Sequence, residues 1–257
     1  MDKRLDFRYA IPAQPEGAVV QLSPQEAERF LLNKLAAAKE DPTDALWQLA
    51  RFYSERKDYL KALDCLRKVM ALFPDVERKA SCVLAMGQTM EQISDYEAAI
   101  RYYKEALSLE PIQTSTWYFI NNNLGFCLNT LGHFAEGETY CRKALEIDST
   151  RHNAYKNLGI ARKGLGNYAD AAQCFVSATQ ANASDPRASQ LLEELLIEHP
   201  ELEFEFADEA EFCRKAVEVA AQHRIRLQPV VHTGVGGRLI LLWAKCRDLG
   251  RRILRPR

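Results

Sequence analysis

Apolar residues recur at helical spacing along most of the chain, and one pattern returns at long intervals. Four pairs mark it: Leu49-Ala50, Met86-Gly87, Leu124-Gly125 and Leu158-Gly159, separated by 37, 38 and 34 residues. Ten residues after each pair stands an aromatic: Tyr59, Tyr96, Phe134 and Tyr168. Three further on comes a small residue, Ala62, Ala99, Gly137 or Ala171. Seven beyond that comes Val69, Ala106, Ala144 or Ala178. Four columns in one register define an internal repeat.

Each unit reads as two helices joined by a turn. Asn123 to Leu128 carries apolar residues at helical spacing, Leu131-Gly132 breaks it, and Phe134 to Ile147 forms a second helix. Small residues at the second place of each pair, and early in the second helix, let the two backbones approach. The aromatic that opens the second helix is expected to fill the wedge between them. Pro74 and Pro111 stop second helices. The first two intervals exceed 34 by about one helical turn. This predicts first helices that start early, near Val76 and Ser115; a longer joint is the alternative.

These motifs resemble the tetratricopeptide repeat (TPR) family, most closely Leu124-Gly125 with Gly132, Phe134, Gly137 and Ala144, and Leu158-Gly159 with Gly166, Tyr168, Ala171 and Ala178. The family tryptophan early in the first helix is replaced by Leu46, Val83, Asn121 and Tyr155. The resemblance implies an all-α, right-handed α-α superhelix, a TPR solenoid of about four helix-turn-helix repeats with capping helices. The expected division is an extended segment 1–22 and a capping helix 23–41. Units 43–76, 80–113, 118–151 and 152–185 follow, then capping helices 186–223, a linker 224–237 and a basic amphipathic tail 238–257.

A repeat leaves its apolar face for a neighbour to cover, so both ends need caps. At the front, Ser23-Pro24-x-Glu26 starts a helix expected to run to about Lys39, with Phe30, Leu31, Leu35 and Ala38 apolar. At the back, Pro186 opens a helix with Leu191, Leu192, Leu195 and Leu196. A further helix, Asp208 to His223, is expected to bury Phe212, Ala216, Val219 and Ala220.

Composition agrees with a folded chain: 47% apolar and 27% charged among 257 residues, with net charge −1. That balance hides opposite ends. Glu193 to Glu211 holds nine acids before the first Lys or Arg, whereas Arg224 to Arg257 holds nine Lys/Arg and one acid, Asp248. In the tail, Leu239, Leu242 and Trp243 share one face, with Lys245 and Arg252 on the other. It can be solvated, dock on the acidic stretch, lie on an anionic membrane surface, or pair with another copy of the chain. Nucleic acid is not expected, since Trp243 is the sole aromatic there. Met1 to Tyr9 is charged and lacks a signal-peptide core. Seven cysteines at wide spacings, with no C-x-x-C, read as reduced thiols and a cytoplasmic setting, with membrane-peripheral attachment as the alternative.

No catalytic, metal or cofactor site is expected. The five histidines, His133, His152, His199, His223 and His232, form no H-E-x-x-H, no serine sits in G-x-S-x-G, and Gly234 to Gly237 lacks the residues of a phosphate loop. What the resemblance implies is a groove lined by the first helices and filled by a protein or peptide partner. Its inward positions are Asp44, Trp47, Arg51 and Glu55; Ser81, Leu84, Gln88 and Gln92; Phe119, Asn122, Phe126 and Asn129; and Asn153, Lys156, Ile160 and Lys163. Of these, Trp47 and Phe126 are expected as apolar anchors and Gln88, Asn122 and Asn129 as partners of a peptide backbone. Arg51 and Lys156 would select charge. Asn123 and Asn157 occupy equivalent places one unit apart, where the resemblance implies either a two-rung ladder that grips a peptide backbone or bonds to the next helix. The carboxylate clamp that some members use for chaperone C-termini is not expected: Leu84, Gln88, Asn123, Asn153 and Asn157 match it only at the central asparagine.

Overall fold

The computed structural model describes the backbone of residues 8–10, 19–38, 40–72 and 75–226, and the side chains of 22–38, 40–72 and 75–223. Lys39, Pro74, the linker from 227 and the tail 238–257 with Leu239, Leu242, Trp243, Lys245 and Arg252 lie outside the described residues. Strand β1 (Arg8–Ala10) pairs antiparallel with β2 (Val19–Gln21), Arg8 opposite Gln21. The other regular elements described are helical, and they stack as an all-α solenoid. Helix α1 (Pro24–Ala37) is the front cap. The repeat units are α2 (Thr43–Glu55) with α3 (Tyr59–Leu72), α4 (Val76–Gln92) with α5 (Tyr96–Ser108), α6 (Thr114–Thr130) with α7 (Phe134–Ile147), and α8 (His152–Gly164) with α9 (Tyr168–Ala181). Helix α10 (Arg187–Glu198), a 3-10 turn (Pro200–Leu202) and α11 (Glu203–Arg226) close the back.

The columns of the sequence become the seams of the stack. Ala62, Ala99 and Ala171 are fully buried, as are Ala106 and Ala144. First and second helices of a unit touch where one side gives up volume to the other. A Cβ on Gly87 would run into the Tyr103 ring, one on Gly125 into Cys141 Sγ, and one on Gly159 into the Phe175 ring. Tyr103 and Phe175 are completely buried there. The turns inside the four units share a left-handed residue at one register position: Lys57, Ser94, Gly132 and Gly166, with φ of 63°, 64°, 81° and 79°. Glycine takes that conformation without the Cβ clash that the first two units tolerate.

The extra residues of the first two intervals lengthen helices: α4 and α6 have 17 residues each against 13 in α2 and α8. Helix α6 starts at Thr114, one residue before Ser115. The added turn of α4 carries Glu77, whose carboxylate accepts from the backbone N–H of Ile112 (2.5 Å) and Gln113 (3.1 Å) and from the Thr116 hydroxyl (2.7 Å). A carboxylate at the N-terminus of α6 satisfies donors that the helix cannot and opposes its dipole.

Three expectations need correction. Three of the aromatics that open second helices reach beyond their own unit's wedge to the next element. Tyr96 meets Phe126 edge-on, a Cβ on Gly164 would strike the Phe134 ring, and Tyr168 stacks on His199. Helix α11 begins at Glu203, before Asp208, and its buried stripe is Phe206, Ala210 and Cys213 packed with α9 and α10; Phe212 and Val219 are exposed. That stripe is the better fit because its i, i+4, i+7 spacing faces the last apolar surface the stack offers. Finally, α1 ends at Ala37, where the Ala38 N–H bonds back to Lys34 and Leu35. Its start is as expected: Ser23 Oγ accepts from Glu26 N–H, Glu26 accepts from Ser23 N–H at 2.8 Å, and Pro24 opens the helix. At the family tryptophan position, Asn121 is buried and donates to the Trp117 carbonyl of its own helix (2.8 Å), which makes an amide tolerable there.

Candidate functional site

Among the described residues, two concavities lie along the first helices. The smaller, of about 440 Å³, is walled by α2 and α4. It is lined by Trp47, Gln48, Ala50, Arg51, Ser54 and Glu55, by Leu66, and by Ala85, Gln88, Thr89 and Gln92. The larger, of about 820 Å³, is lined by Gln88, Glu91 and Gln92 of α4 and by Tyr118, Phe119, Asn122 and Asn123 of α6. The joints add Asp148, Thr150 and Arg151, with His152 and Asn153 from α8 and Ala181 and Asn182 at the end of α9. Gln88 and Gln92 line both, so the two meet.

Of the expected site residues, Trp47, Arg51, Gln88, Asn122 and Asn123 line this surface. Arg51 is exposed and its Nε donates to Glu55 at 2.8 Å. The remaining four line neither concavity. Phe126 packs against Tyr96 with ring centroids 6.1 Å apart. Asn129 is buried and donates to the backbone carbonyl of Asn157 at 2.7 Å. Asn157 is buried and donates to Asn122 Oδ1 at 3.1 Å. These amides tie α6 to α8: Asn129 spends its amide on the stack, and Asn157, one of the two expected rungs, bonds the neighbouring helix. Lys156 is buried, with Asn153 Oδ1 at 3.4 Å from Nζ, and burial holds its ammonium below the usual lysine range.

The asparagines form a directed chain. Asn157 donates to Asn122, Asn122 to Asn123 Oδ1 (3.1 Å), Asn123 to the Tyr103 hydroxyl (3.4 Å), and that hydroxyl to Glu91 Oε2 (2.8 Å). It runs from the fourth unit to the second and ends on a carboxylate in the groove wall. Aligned bonds of this kind polarise one another. Burial raises the Glu91 carboxyl above the ordinary glutamate range, against the Tyr103 hydrogen bond, which lowers it. The Tyr103 phenol is pushed up by burial and by Glu91.

At the far wall, Arg151 lies over the rings of Tyr118 (4.8 Å) and Phe119 (5.0 Å), and its Nε donates to Asp148 at 2.8 Å. Hydrogen bonds from Thr150 and Arg151 hold Asp148 down at about 2. His152 faces Asp185 at 3.2 Å, and its burial lowers the imidazole despite that carboxylate. Glu91, Asp148, Arg151 and Asn182 escaped the sequence reading. Glu91 stands one place from Gln92 in the inward register, and the other three sit in joints that a helix register does not cover.

Among the described residues no group of three or more His, Cys, Asp or Glu could hold a metal, and no helix is long and apolar enough to cross a membrane. Cys65, Cys82, Cys127, Cys141, Cys174 and Cys213 are free and buried. Burial pushes the Cys82 thiol up to about 11 and Cys141 to about 12, leaving poor nucleophiles.

Comparison with known proteins adds a second line. Two profiles, each described as tetratricopeptide repeat, match residues 42–109 and 120–151. Human tetratricopeptide repeat protein 7A is 31% identical over 144 residues, which is 56% of this chain and 16% of that protein. Human tetratricopeptide repeat protein 7B is 29% identical over 126 residues, 49% of this chain and 14% of that protein. The chain therefore spans only a small part of these relatives' length. Among solved structures, BtubC from P. vanneervenii matches with a TM-score of 0.61 at 18% identity, over 86% of this chain and 97% of that one. A double mutant of MamA RS-1 matches with a TM-score of 0.55 at 15% identity, over 73% and 98%. Both are likenesses of fold.

Proposed function

Since the chain belongs to the tetratricopeptide repeat family, whose members mediate protein–protein interactions, we propose that it is a non-catalytic adaptor that holds an extended peptide or a helix of a protein partner along its concave groove. The reading rests on one observation: the two concavities meet at Gln88 and Gln92 and so make a single track across the first helices. Trp47 and Phe119 offer apolar anchors at separate points of the track, and anchors of that type dominate binding energy. Gln88, Gln92, Asn122 and Asn153 carry amides that can both donate to and accept from a peptide backbone.

The test is affinity capture from source lysate with the wild-type chain beside a Trp47→Ala/Gln88→Ala/Phe119→Ala variant, with folding checked by circular dichroism. Partners held only by wild type place the ligand in the groove. Equal capture by both proteins moves the binding surface elsewhere.

A further inference from the structure

The groove holds one charge that the fold leaves uncompensated. Glu91 lines the larger concavity and is half-buried, and no Lys, Arg or His among the described residues comes within ion-pair distance of it. The cation across the groove is committed: Arg151 is paired with Asp148 and seated on Tyr118 and Phe119. His152 faces Asp185. The hydrogen-bond chain from Asn157 ends on Glu91 Oε2, and no described residue donates to Oε1. One oxygen is thus held by the Tyr103 hydroxyl, and the other, on a residue that lines the groove, takes no hydrogen bond from a described residue.

The third unit shows that this arrangement is a departure. Asn129 holds the register position of Glu91, and there the side chain turns into the stack and bonds the next helix. A desolvated carboxylate without a counter-charge is costly, and a cation brought to it recovers that cost as a charge-assisted hydrogen bond. We infer that Glu91 is the specificity determinant of the groove and receives a lysine or arginine side chain of the bound peptide. The inference rests on the groove being the peptide site, and it adds the chemical class of the ligand: a basic peptide, with its cation placed where the two concavities meet.

Phage-displayed random dodecapeptides are selected on the full chain, and the consensus peptide, fluorescein-labelled, is titrated by anisotropy. Three proteins are compared: wild type, Glu91→Gln and Trp47→Ala/Phe119→Ala. Glutamine keeps an oxygen for the Tyr103 hydroxyl, so the variant retains the hydrogen-bond chain. The expected consensus has Lys or Arg at one fixed position, and Glu91→Gln binds it about tenfold more weakly. Replacing that base with norleucine should make the two proteins equal. A groove-dependent consensus without a base, or equal affinity of wild type and Glu91→Gln for the basic peptide, overturns the role of Glu91 and leaves the groove standing. Peptides that bind the Trp47→Ala/Phe119→Ala variant undiminished, or no selected peptide at all, overturn the groove itself and Glu91 with it.

Discussion

Two junctions in this solenoid use one register position in opposite ways. Where α6 meets α8, Asn129 is 6% exposed and its amide crosses to the carbonyl of Asn157 at 2.7 Å. Asn157, 3% exposed, returns an amide to Asn122. Where α4 meets α6, Glu91 stands in the place of Asn129, half-buried in the groove wall with only the Tyr103 hydroxyl on it. The first junction turns its polar groups inward and fastens the stack. The second leaves a carboxylate in the groove wall with no counter-charge among the described residues. A repeat thus lets one backbone position either fasten neighbouring units or stay in the groove wall, where the proposed recognition would use it, and the side chain at that position decides which.

The largest expected effect breaks the fastened junction at its backbone. A Cβ on Gly125 would meet Cys141 Sγ and lie 3.1 Å from the carbonyl oxygen of Gly137, an atom that cannot swing aside. Gly125→Leu should cost about 3 kcal/mol, the upper end for overpacking. Gln92→Leu, on the exposed open side, should stay within about 0.5 kcal/mol. Urea melts of the two variants measure the contrast, and equal midpoints would mean that the third unit is not closely packed. Next comes the amide link itself. Asn157→Ala removes a buried donor from Asn122 and should cost about 1.5 kcal/mol. A cycle with Asn122→Ala should show a coupling of about 0.5 kcal/mol or more. Additive losses would mean that the two amides do not support one another.

Much of this was legible as spacing. Tyr59, Tyr96, Phe134 and Tyr168 open α3, α5, α7 and α9, and the small columns are buried, because period and side-chain volume are properties of the chain itself. The pairing of partners across joints was not. Glu77 caps a helix that starts 37 residues later, and nothing in its neighbourhood announces that reach. Asn129 and Asn157 carry the right chemistry for a peptide backbone, and the same chemistry suits a neighbouring helix; only the distance to Asn157 O and Asn122 Oδ1 separates the two uses. One signal was available and unused. The second-helix column Leu66, Tyr103, Cys141, Phe175 lies opposite Ala50, Gly87, Gly125, Gly159, so bulk on one helix is met by its absence on the other.

The smallest expected effect sharpens the contrast most. If Glu91 is an unpaired carboxylate, it should destabilise the free protein in proportion to its ionisation. Burial raises its folded pKa above the ordinary 4.5, so the folded state holds the proton more tightly than the unfolded chain. The contribution of Glu91 to stability is therefore greatest when the carboxyl is protonated. It is lost as pH rises from the ordinary value through the raised one. Glutamine at this position keeps the acceptor for Tyr103 and does not titrate. Glu91→Gln should then melt slightly higher than wild type at neutral pH, and the two curves should converge in acid. Asn129→Asp, which puts a carboxylate at the same register in the fastened junction, should do the reverse: it melts lower, most of all at neutral pH, since the charge would face the Asn157 carbonyl. Thermal melts of both variants across pH measure the pair. A Glu91→Gln variant that melts lower than wild type at neutral pH would mean that the fold already compensates this charge, and a ligand cation would then find nothing left to neutralise.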